Sequence, residues 1–141
     1  MKDNNCIFCK LAAGEIPTNT IYEDEKFRVI LDAAPASKGH ALILPKEHYA
    51  DLYEIDTELA GDAMKLAKKL AIHMTEALNC DGFNLVQNNK EVAGQTVFHF
   101  HLHLIPRYRN MKNKDILTWN HETFTEEETK EICNRIKEGL H

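Results

Sequence analysis

The stretch that decides the fold of this chain runs from Gln95 to Pro106 and reads Gln-Thr-Val-Phe-His-Phe-His-Leu-His-Leu-Ile-Pro. Histidines stand at every second position from 99 to 103, and every other residue after Thr96 is apolar. Successive side chains of a β-strand point to opposite faces. One face of such a strand would carry Val97, His99, His101, His103 and Ile105, and the other Phe98, Phe100, Leu102 and Leu104. The stretch therefore predicts a core-facing apolar row backed by a row of three imidazoles.

The row of imidazoles indicates a binding site for an extended anion. Buried imidazoles need polar partners, so three of them are poor packing residues. One metal ion cannot bind all three, because the outer two start about 13 Å apart on a strand and zinc–nitrogen bonds measure about 2 Å. An anionic ligand along the row is the remaining interpretation.

Phosphorus chemistry fits these residues. Neutral imidazole is a nucleophile near pH 7, and attack on phosphorus would give a covalent phospho-imidazole that splits one displacement into two steps. The neighbouring histidines would hydrogen-bond the phosphoryl oxygens or protonate the leaving group. His101 alone has an imidazole on each side, so the spacing nominates it as the centre of the reaction.

Length and composition describe one globular domain. The chain has 141 residues and a formal net charge of −5, which argues against a nucleic-acid partner. It contains no apolar run of membrane-spanning length, and residues 1–5 do not resemble a signal peptide. We therefore expect no membrane partner, a cytoplasmic location and four reduced cysteines.

Periodicity and turn residues predict an α+β domain with an antiparallel sheet. Asp56 is the expected N-cap of the longest helix, and Thr125 with Glu128 forms a capping box for a C-terminal helix. The segment 107–124 has no strong periodicity. The predicted elements before it are a helix over 7–13, strands over 20–22, 27–31 and 40–44, a helix over 57–78, a strand over 83–87 and the histidine strand.

The loop before the histidine strand suits an anion. Gly94 would allow close approach of the backbone, while Gln95 and Thr96 add an amide and a hydroxyl. An ordinary polar hairpin loop would look the same. The sequence has no phosphate-binding G-x-x-x-x-G-K-[ST] loop and no carboxylate cluster suited to Mg²⁺, so we expect no magnesium requirement.

Residues 94–105 resemble the histidine triad (HIT) motif, His-φ-His-φ-His-φ-φ with φ apolar. Two further segments resemble the N-terminal part of the same family in order: residues 6–10 with 14–17, and residues 39–46. The resemblance covers roughly residues 5–110 of a single domain, 1–141, and weakens over 111–141. It implies a HIT-like fold, with an antiparallel sheet of about five strands, one long helix, one C-terminal helix and a homodimeric assembly. Trp119 is a candidate contact between protomers.

The resemblance also implies enzymes that split a purine nucleotide, an AMP or GMP conjugate, at its α-phosphate through a nucleotidyl-histidine intermediate. By position, His101 would be the nucleophile, His103 would contact the α-phosphate, and His99 and His40 would orient the row. Thr96 would contact the leaving-group side. The branch resembling galactose-1-phosphate uridylyltransferase has Gln at the position of His103, so a hydrolase is favoured. The remaining implied nucleotide-binding residues are Gln95, Val97, Gly94 and Asn88 near the phosphates, Asp32 at the ribose, and Phe8, Leu11, Ile16 and Ala33 around the base.

Cys6-x-x-Cys9 is a weak metal motif by itself, since redox and packing roles compete with zinc. A tetrahedral site needs two more ligands. The resemblance to bacterial HIT proteins implies a structural Zn²⁺ held by Cys6, Cys9, His48 and His99. Cys80 and Cys133 are isolated and predicted to be packing residues.

Three functions remain open. The first is a nucleoside phosphoramidase, because residues 7–8 and 14–17 resemble the matching segments of the phosphoramidase branch of the family. The second is a dinucleoside polyphosphate hydrolase, because residues 93–97 and Pro106-Arg107 resemble the matching segments of the fragile-histidine-triad branch. The third is a nucleotide-binding interaction protein without turnover, which the complete triad and Thr96 disfavour.

Overall fold

One antiparallel sheet organises the first part of the chain. The computed structural model describes residues 1–111, 117 and 120–140, and it forms two compact units, residues 1–111 and 112–141. The strands of the first unit lie in the order β1-β2-β3-β5-β4. The predicted α+β class and the sheet of about five strands are thereby confirmed. The strands are β1 (Thr20–Glu23), β2 (Phe27–Leu31), β3 (Ala41–Pro45), β4 (Gly82–Val86) and β5 (Leu102–Arg107).

The long helix α2 (Thr57–Leu78) covers one face of the sheet. Its predicted bounds are confirmed, and the Asp56 carboxylate caps it by accepting a hydrogen bond from the Leu59 amide at 3.2 Å. Apolar side chains recur along it at helical spacing and meet alternate residues of the strands. The main core contains Ala63, Leu66, Leu70 and Met74 of the helix with Val29, Ala41, Ile43, Leu102 and Leu104 of the sheet.

The short helix α1 (Ile7–Ala13) covers the other face, with the bounds that the sequence predicts. Ala12 packs there against Ile30, Leu42 and Leu44, the strand residues that alternate with those of the main core. Gly14 ends the helix with a φ of +79°, a conformation that favours glycine. Because His103 pairs with Leu42 across β3 and β5, its side chain lies on this face, the face of α1.

The histidine strand is shorter than the sequence predicts. β5 begins at Leu102, and residues 97–101 lie outside it. The register pairs Ile43 with Leu102, so Phe100 would face Pro45, which has no amide hydrogen to continue the ladder. The Phe100 amide instead donates to the Tyr49 carbonyl at 2.6 Å.

The early end of β5 changes the predicted alternation of faces. Phe98 was expected in the core row but is 52% exposed, whereas Phe100 is buried as expected. Val97 is half-buried and Ile105 is buried. His99 is fully buried and does not line the surface that His101 and His103 share. The three histidines therefore occupy different environments rather than one row.

The second unit contains the helix α3 (Glu126–Lys137). Both hydrogen bonds of the predicted capping box are present, from the Glu128 amide to the Thr125 hydroxyl and from the Thr125 amide to the Glu128 carboxylate. Trp119, the candidate contact between protomers, lies outside the described residues. Among the described residues, no helix is both long and apolar enough to cross a membrane.

Candidate active site

A cavity of about 690 Å³ opens between α1, the loop after β2 and the segment before β5. His101 and His103 form part of its wall, and the apolar lining includes residues of α1, β2 and β3 together with Ile16 after α1. Eleven of the twelve residues that the family resemblance places at the nucleotide line it. They are Phe8, Leu11, Ile16, Asp32, Ala33, Asn88, Gly94, Thr96, Val97, His101 and His103.

Hydrogen bonding determines which nitrogen of His101 carries the proton and which holds the lone pair. His101 Nδ1 lies 2.7 Å from the His99 carbonyl oxygen, which can only accept, so Nδ1 carries the proton. The lone pair of the neutral ring is then on Nε2. Burial lowers the pKa of His101 below its ordinary value, which keeps the ring neutral. The ring edge also packs against Phe8, with 4.9 Å between centroids.

A second chain of hydrogen bonds fixes the proton of His103. The Ala36 amide donates to His40 Nδ1 at 2.9 Å, so the proton of neutral His40 is on Nε2. His40 Nε2 lies 2.9 Å from His103 Nδ1 and donates to it. His103 therefore keeps its own proton on Nε2. Its ring centroid is 5.0 Å from that of His101, so the cavity holds a lone pair and an N–H donor side by side.

Burial keeps both members of this second chain neutral. It lowers the pKa of His103 to about 4, with smaller contributions from His101 and His40, and it lowers the pKa of His40. The Asp32 carboxylate opposes the lowering at both residues, and one of its oxygens lies 3.5 Å from His40 Nε2. A neutral imidazole pair is the form that the hydrogen bonds require.

His99 faces a pair of cysteines on the other side of the segment. Its Nε2 donates to the Pro45 carbonyl at 2.9 Å, which leaves the lone pair on Nδ1. Nδ1 lies 3.5 Å from Cys6 Sγ and 3.4 Å from Cys9 Sγ. His48 Nδ1 is 3.3 Å from Cys9 Sγ, and all four ligand atoms lie within 4.8 Å of one another. We call these four residues the Cys–His cluster.

The donor set of the Cys–His cluster fits zinc. Two thiols and two imidazoles are a common tetrahedral set, and in such a site sulfur and nitrogen ligands lie roughly 3.6 Å apart. The Asp3 amide donates to Cys9 Sγ at 3.4 Å and the Cys9 amide to Cys6 Sγ at 3.3 Å, as amides do around metal-bound thiolates.

Asp32, His40 and His103 also come close enough to hold an ion. Their tautomers do not fit a metal ion. The Ala36 amide occupies His40 Nδ1, so the proton of His40 is on Nε2, the nitrogen that faces Asp32 and His103. This trio is better explained as a hydrogen-bonded chain. The described residues therefore offer one fitting metal site, the Cys–His cluster.

Comparison with known proteins identifies the family. A model of the HIT domain matches residues 13–110. The chain belongs to the HIT family. It is 44% identical to adenosine 5′-monophosphoramidase HNT1 of Saccharomyces cerevisiae over 117 residues, which are 83% of this chain and 71% of the yeast protein.

Solved HIT structures share the fold. A HIT-family protein from Bacillus subtilis superposes with a TM-score of 0.88 at 37% identity, covering 98% of this chain and 99% of that one. A zinc-bound histidine triad protein from Mycobacterium smegmatis superposes with a TM-score of 0.74 at 33% identity, covering 96% and 98%. The sequence-based assignment to this family is confirmed.

In this HIT protein, Gln95 is the predicted nucleotide contact that does not line the cavity. Its side chain is 2% exposed and bonds only to backbone in the hydrogen bonds described. Oε1 accepts from the Lys90 amide at 2.8 Å, while Nε2 donates to the carbonyls of Ala50 at 2.6 Å and Val97 at 3.0 Å. Gln95 therefore holds the loop that presents its neighbours Gly94 and Thr96.

The sequence did not single out several cavity residues. Leu42 belongs to β3, whose side chains are apolar on both faces, which indicates a second apolar surface besides the main core. Ile30 of β2 pairs with Leu42 and lies on the same face. That pattern was readable in the sequence. The role of the Ala36 amide could not be predicted from the sequence, because nearly every residue type has the same backbone donor.

A neighbouring groove shares the lining residues Thr96 and Val97 with the cavity. Ile7 also lines both, so the two spaces share one wall. Beyond that wall the groove passes the Cys–His cluster and the exposed ring of Phe98. Its lining residues are Asp3, Asn5, Cys6, Ile7, His48, Ala50, Thr96, Val97 and Phe98.

Proposed function

We propose that this HIT protein is a nucleotide hydrolase, and specifically a purine nucleoside phosphoramidase that releases a nucleoside monophosphate. The observation that carries the proposal is the pairing of His101 Nε2, which holds a lone pair, with His103 Nε2–H in one cavity wall. A nucleophile beside a hydrogen-bond donor is the arrangement that displacement at phosphorus requires. Its similarity to yeast adenosine 5′-monophosphoramidase supports the same activity.

The proposed reaction has two displacements at the α-phosphorus. His101 Nε2 attacks phosphorus, the phosphorus–nitrogen bond of the substrate breaks, and the nitrogen takes a proton from solvent and departs as the neutral amine. His103 donates a hydrogen bond to a phosphoryl oxygen as charge accumulates there. Water then attacks phosphorus and gives up a proton to solvent, and the bond from phosphorus to His101 Nε2 breaks, which releases the monophosphate and the neutral imidazole. Throughout, the His99 carbonyl stabilises the His101 ring through its Nδ1–H.

The remaining walls suit a nucleoside. Phe8, Leu11 and Ile16 offer an apolar slot of the kind that binds a flat base. Asp32 lines the same cavity and would accept hydrogen bonds from ribose hydroxyls. Asn88, Gly94 and Thr96 line the cavity too and would contact the phosphate side of the ligand. These roles are proposals that rest on the geometry together with the family resemblance.

The groove favours an amine over a polyphosphate leaving group. A dinucleoside polyphosphate would place several negative charges beyond the α-phosphate. Among the described residues, neither the cavity nor the groove is lined by a lysine or arginine, and the groove carries the carboxylate of Asp3. Like charges repel, so Asp3 disfavours a polyphosphate and attracts a protonated amine.

We further propose that the Cys–His cluster binds one structural Zn²⁺. The four donors, the free lone pair on His99 Nδ1 and the similarity to a zinc-bound HIT protein support this assignment. Burial raises the pKa of the Cys9 thiol, so zinc binding would release protons from the thiols. Zinc would join α1 to the segment before β5 and take no part in the displacement. Absence of stoichiometric zinc after purification without chelators would contradict this.

Three other assignments remain proposals: a homodimer, which the family resemblance implies, and a cytoplasmic location and one domain spanning residues 1–141, which rest on length and composition. Sedimentation equilibrium tests the first of these. A monomer mass at micromolar concentration would contradict the dimer.

The central experiment compares two substrates and two variants. The protein is incubated with an adenosine phosphoramidate and with a diadenosine polyphosphate, and product release is followed by chromatography. We expect preferential cleavage of the phosphoramidate and loss of at least about a thousandfold in kcat for His101→Ala. His73→Ala is the matched control, because His73 is an exposed histidine of α2. Unchanged turnover in His101→Ala would refute the mechanism, preference for the polyphosphate would support the second function, and binding without turnover the third.

A further inference from the structure

The Cys–His cluster and the proposed nucleophile meet at a single residue. His99 reaches the cluster with its ring, through Nδ1 at 3.5 Å from Cys6 Sγ and 3.4 Å from Cys9 Sγ. The same residue holds His101 with its backbone, through the carbonyl that accepts from His101 Nδ1 at 2.7 Å. The position of that carbonyl therefore depends on what the His99 ring binds.

Secondary structure does not hold this residue in place. His99 precedes β5, whose pairing begins only at Leu102, so no ladder hydrogen bonds fix residues 99–101. Its other ring nitrogen bonds the Pro45 carbonyl at 2.9 Å. The segment is also held at Phe100, whose amide donates to the Tyr49 carbonyl at 2.6 Å and whose side chain is buried in the main core. The ring of His99 is the attachment two residues before the nucleophile, with one nitrogen bonded to the Pro45 carbonyl and the other facing the two sulfurs.

Helix α1 provides a second connection. Cys9 belongs to α1, and its neighbour Phe8 contacts the ring of His101 edge-on at 4.9 Å between centroids. Phe8 and Leu11 of the same helix also line the nucleotide cavity. A change in how Cys9 is held would therefore move a wall of the base slot as well as a neighbour of the nucleophile.

We infer that Cys6, Cys9 and His48 are positioning residues for the nucleotide site, so that metal binding at the Cys–His cluster and nucleotide binding in the cavity strengthen each other. This inference rests on the proposed nucleotide function and adds a thermodynamic coupling to it. Coupling between two binding sites is reciprocal: metal raises nucleotide affinity by the factor by which nucleotide raises metal affinity. Couplings of this kind typically range from about 5-fold to 150-fold.

Calorimetry with AMP tests the reciprocity directly. AMP is titrated into the zinc-loaded protein and into protein stripped by a chelator, with far-UV circular dichroism to verify that the stripped protein is folded. We expect AMP to bind at least about fivefold more weakly without zinc, and saturating AMP to tighten zinc binding by the same factor. Equal AMP affinities in the two folded forms would overturn the coupling and leave zinc a purely structural role.

Variants at His48 separate coordination from packing. His48→Ala removes one ligand, whereas His48→Cys replaces it with another zinc ligand. We expect AMP affinity to fall in the first variant and to be largely recovered in the second when zinc is present. Cys133→Ser, a change at an exposed cysteine outside the cluster, is the matched control and should behave as the parent. A similar loss in both His48 variants, with zinc bound to His48→Cys, would contradict the inference.

The nitrogen spectrum of His101 gives a readout that does not depend on nucleotide. Its ring signals, assigned by their loss in His101→Ala, report a proton on Nδ1 in the zinc-loaded protein. We expect mixed tautomers after zinc removal and a return on adding zinc. If AMP does not bind the zinc-loaded protein at all, the proposed nucleotide function fails, and this spectrum still decides whether the Cys–His cluster positions His101. Signals identical with and without zinc would overturn it.

Discussion

His40 Nε2 donates a hydrogen bond to His103 Nδ1 over 2.9 Å, and this contact determines which nitrogen of His103 presents a proton to the cavity. The direction of the bond follows from the Ala36 amide, which occupies the other nitrogen of His40. His40 thus acts through His103 rather than on the substrate.

Replacing His40 should reduce turnover more than binding. In His40→Ala nothing fixes the tautomer of His103, and we expect kcat to fall about 10- to 100-fold, the usual cost of losing a group that orients a reacting side chain. AMP affinity should change less. His40→Gln, which retains an N–H donor, should recover part of the rate. A loss confined to AMP affinity, with kcat unchanged, would refute the positioning role.

Acid should destabilise the protein through its buried neutral histidines. Unfolded histidines have a pKa near 6.5, whereas burial lowers that of folded His103 to about 4. Between these values the unfolded chain binds a proton that the folded chain does not, so the free energy of unfolding falls as the pH falls. In chelator, His103→Gln should show a smaller pH dependence than the parent, by at most about 1.4 kcal/mol per pH unit. Urea unfolding at several pH values measures it, and equal slopes would contradict the assignment.

Gln95 should stabilise the fold as well as the loop. Gln95→Ala leaves the Ala50 and Val97 carbonyls and the Lys90 amide without their side-chain partner, at a cost of about 1–3 kcal/mol in the free energy of unfolding. Gln95→Glu should be at least as destabilising, because a carboxylate would face two carbonyl oxygens. Denaturant unfolding measures both, with the exposed amide variant Asn110→Ala as control. A stable Gln95→Glu would show that these bonds matter little.

The charge of Asp3 should influence the choice of leaving group. Asp3→Lys replaces a carboxylate in the groove with an ammonium, while the backbone amide that bonds Cys9 Sγ stays in place. We expect the ratio of kcat/KM for the diadenosine polyphosphate over the phosphoramidate to rise several-fold at low ionic strength and less in high salt. Asp3→Asn should give an intermediate ratio. If neither substitution changes this ratio, Asp3 does not influence the choice of leaving group.

Local sequence was sufficient for the helices. Asp56 and Thr125 cap their own helices, and Gly14 ends α1, so the information lies within a few residues of each boundary. The start of β5 was predicted too early for the opposite reason. It depends on the partner strand, where Pro45 has no amide to pair with Phe100, and the register is not visible in residues 95–106.

Sequence alone determined the family, the α+β sheet and many of the residues that line the cavity, because the triad motif and the periodicity of the strands depend on residue types. Only the tertiary structure decided which ring nitrogen of each histidine carries the proton and which partner it bonds. A tautomer depends on which backbone groups lie near each ring: the carbonyl of His99 for His101, the amide of Ala36 for His40, and the carbonyl of Pro45 for His99 itself. Carbonyls exist in every residue and amides in every residue except proline, so only the fold selects among them.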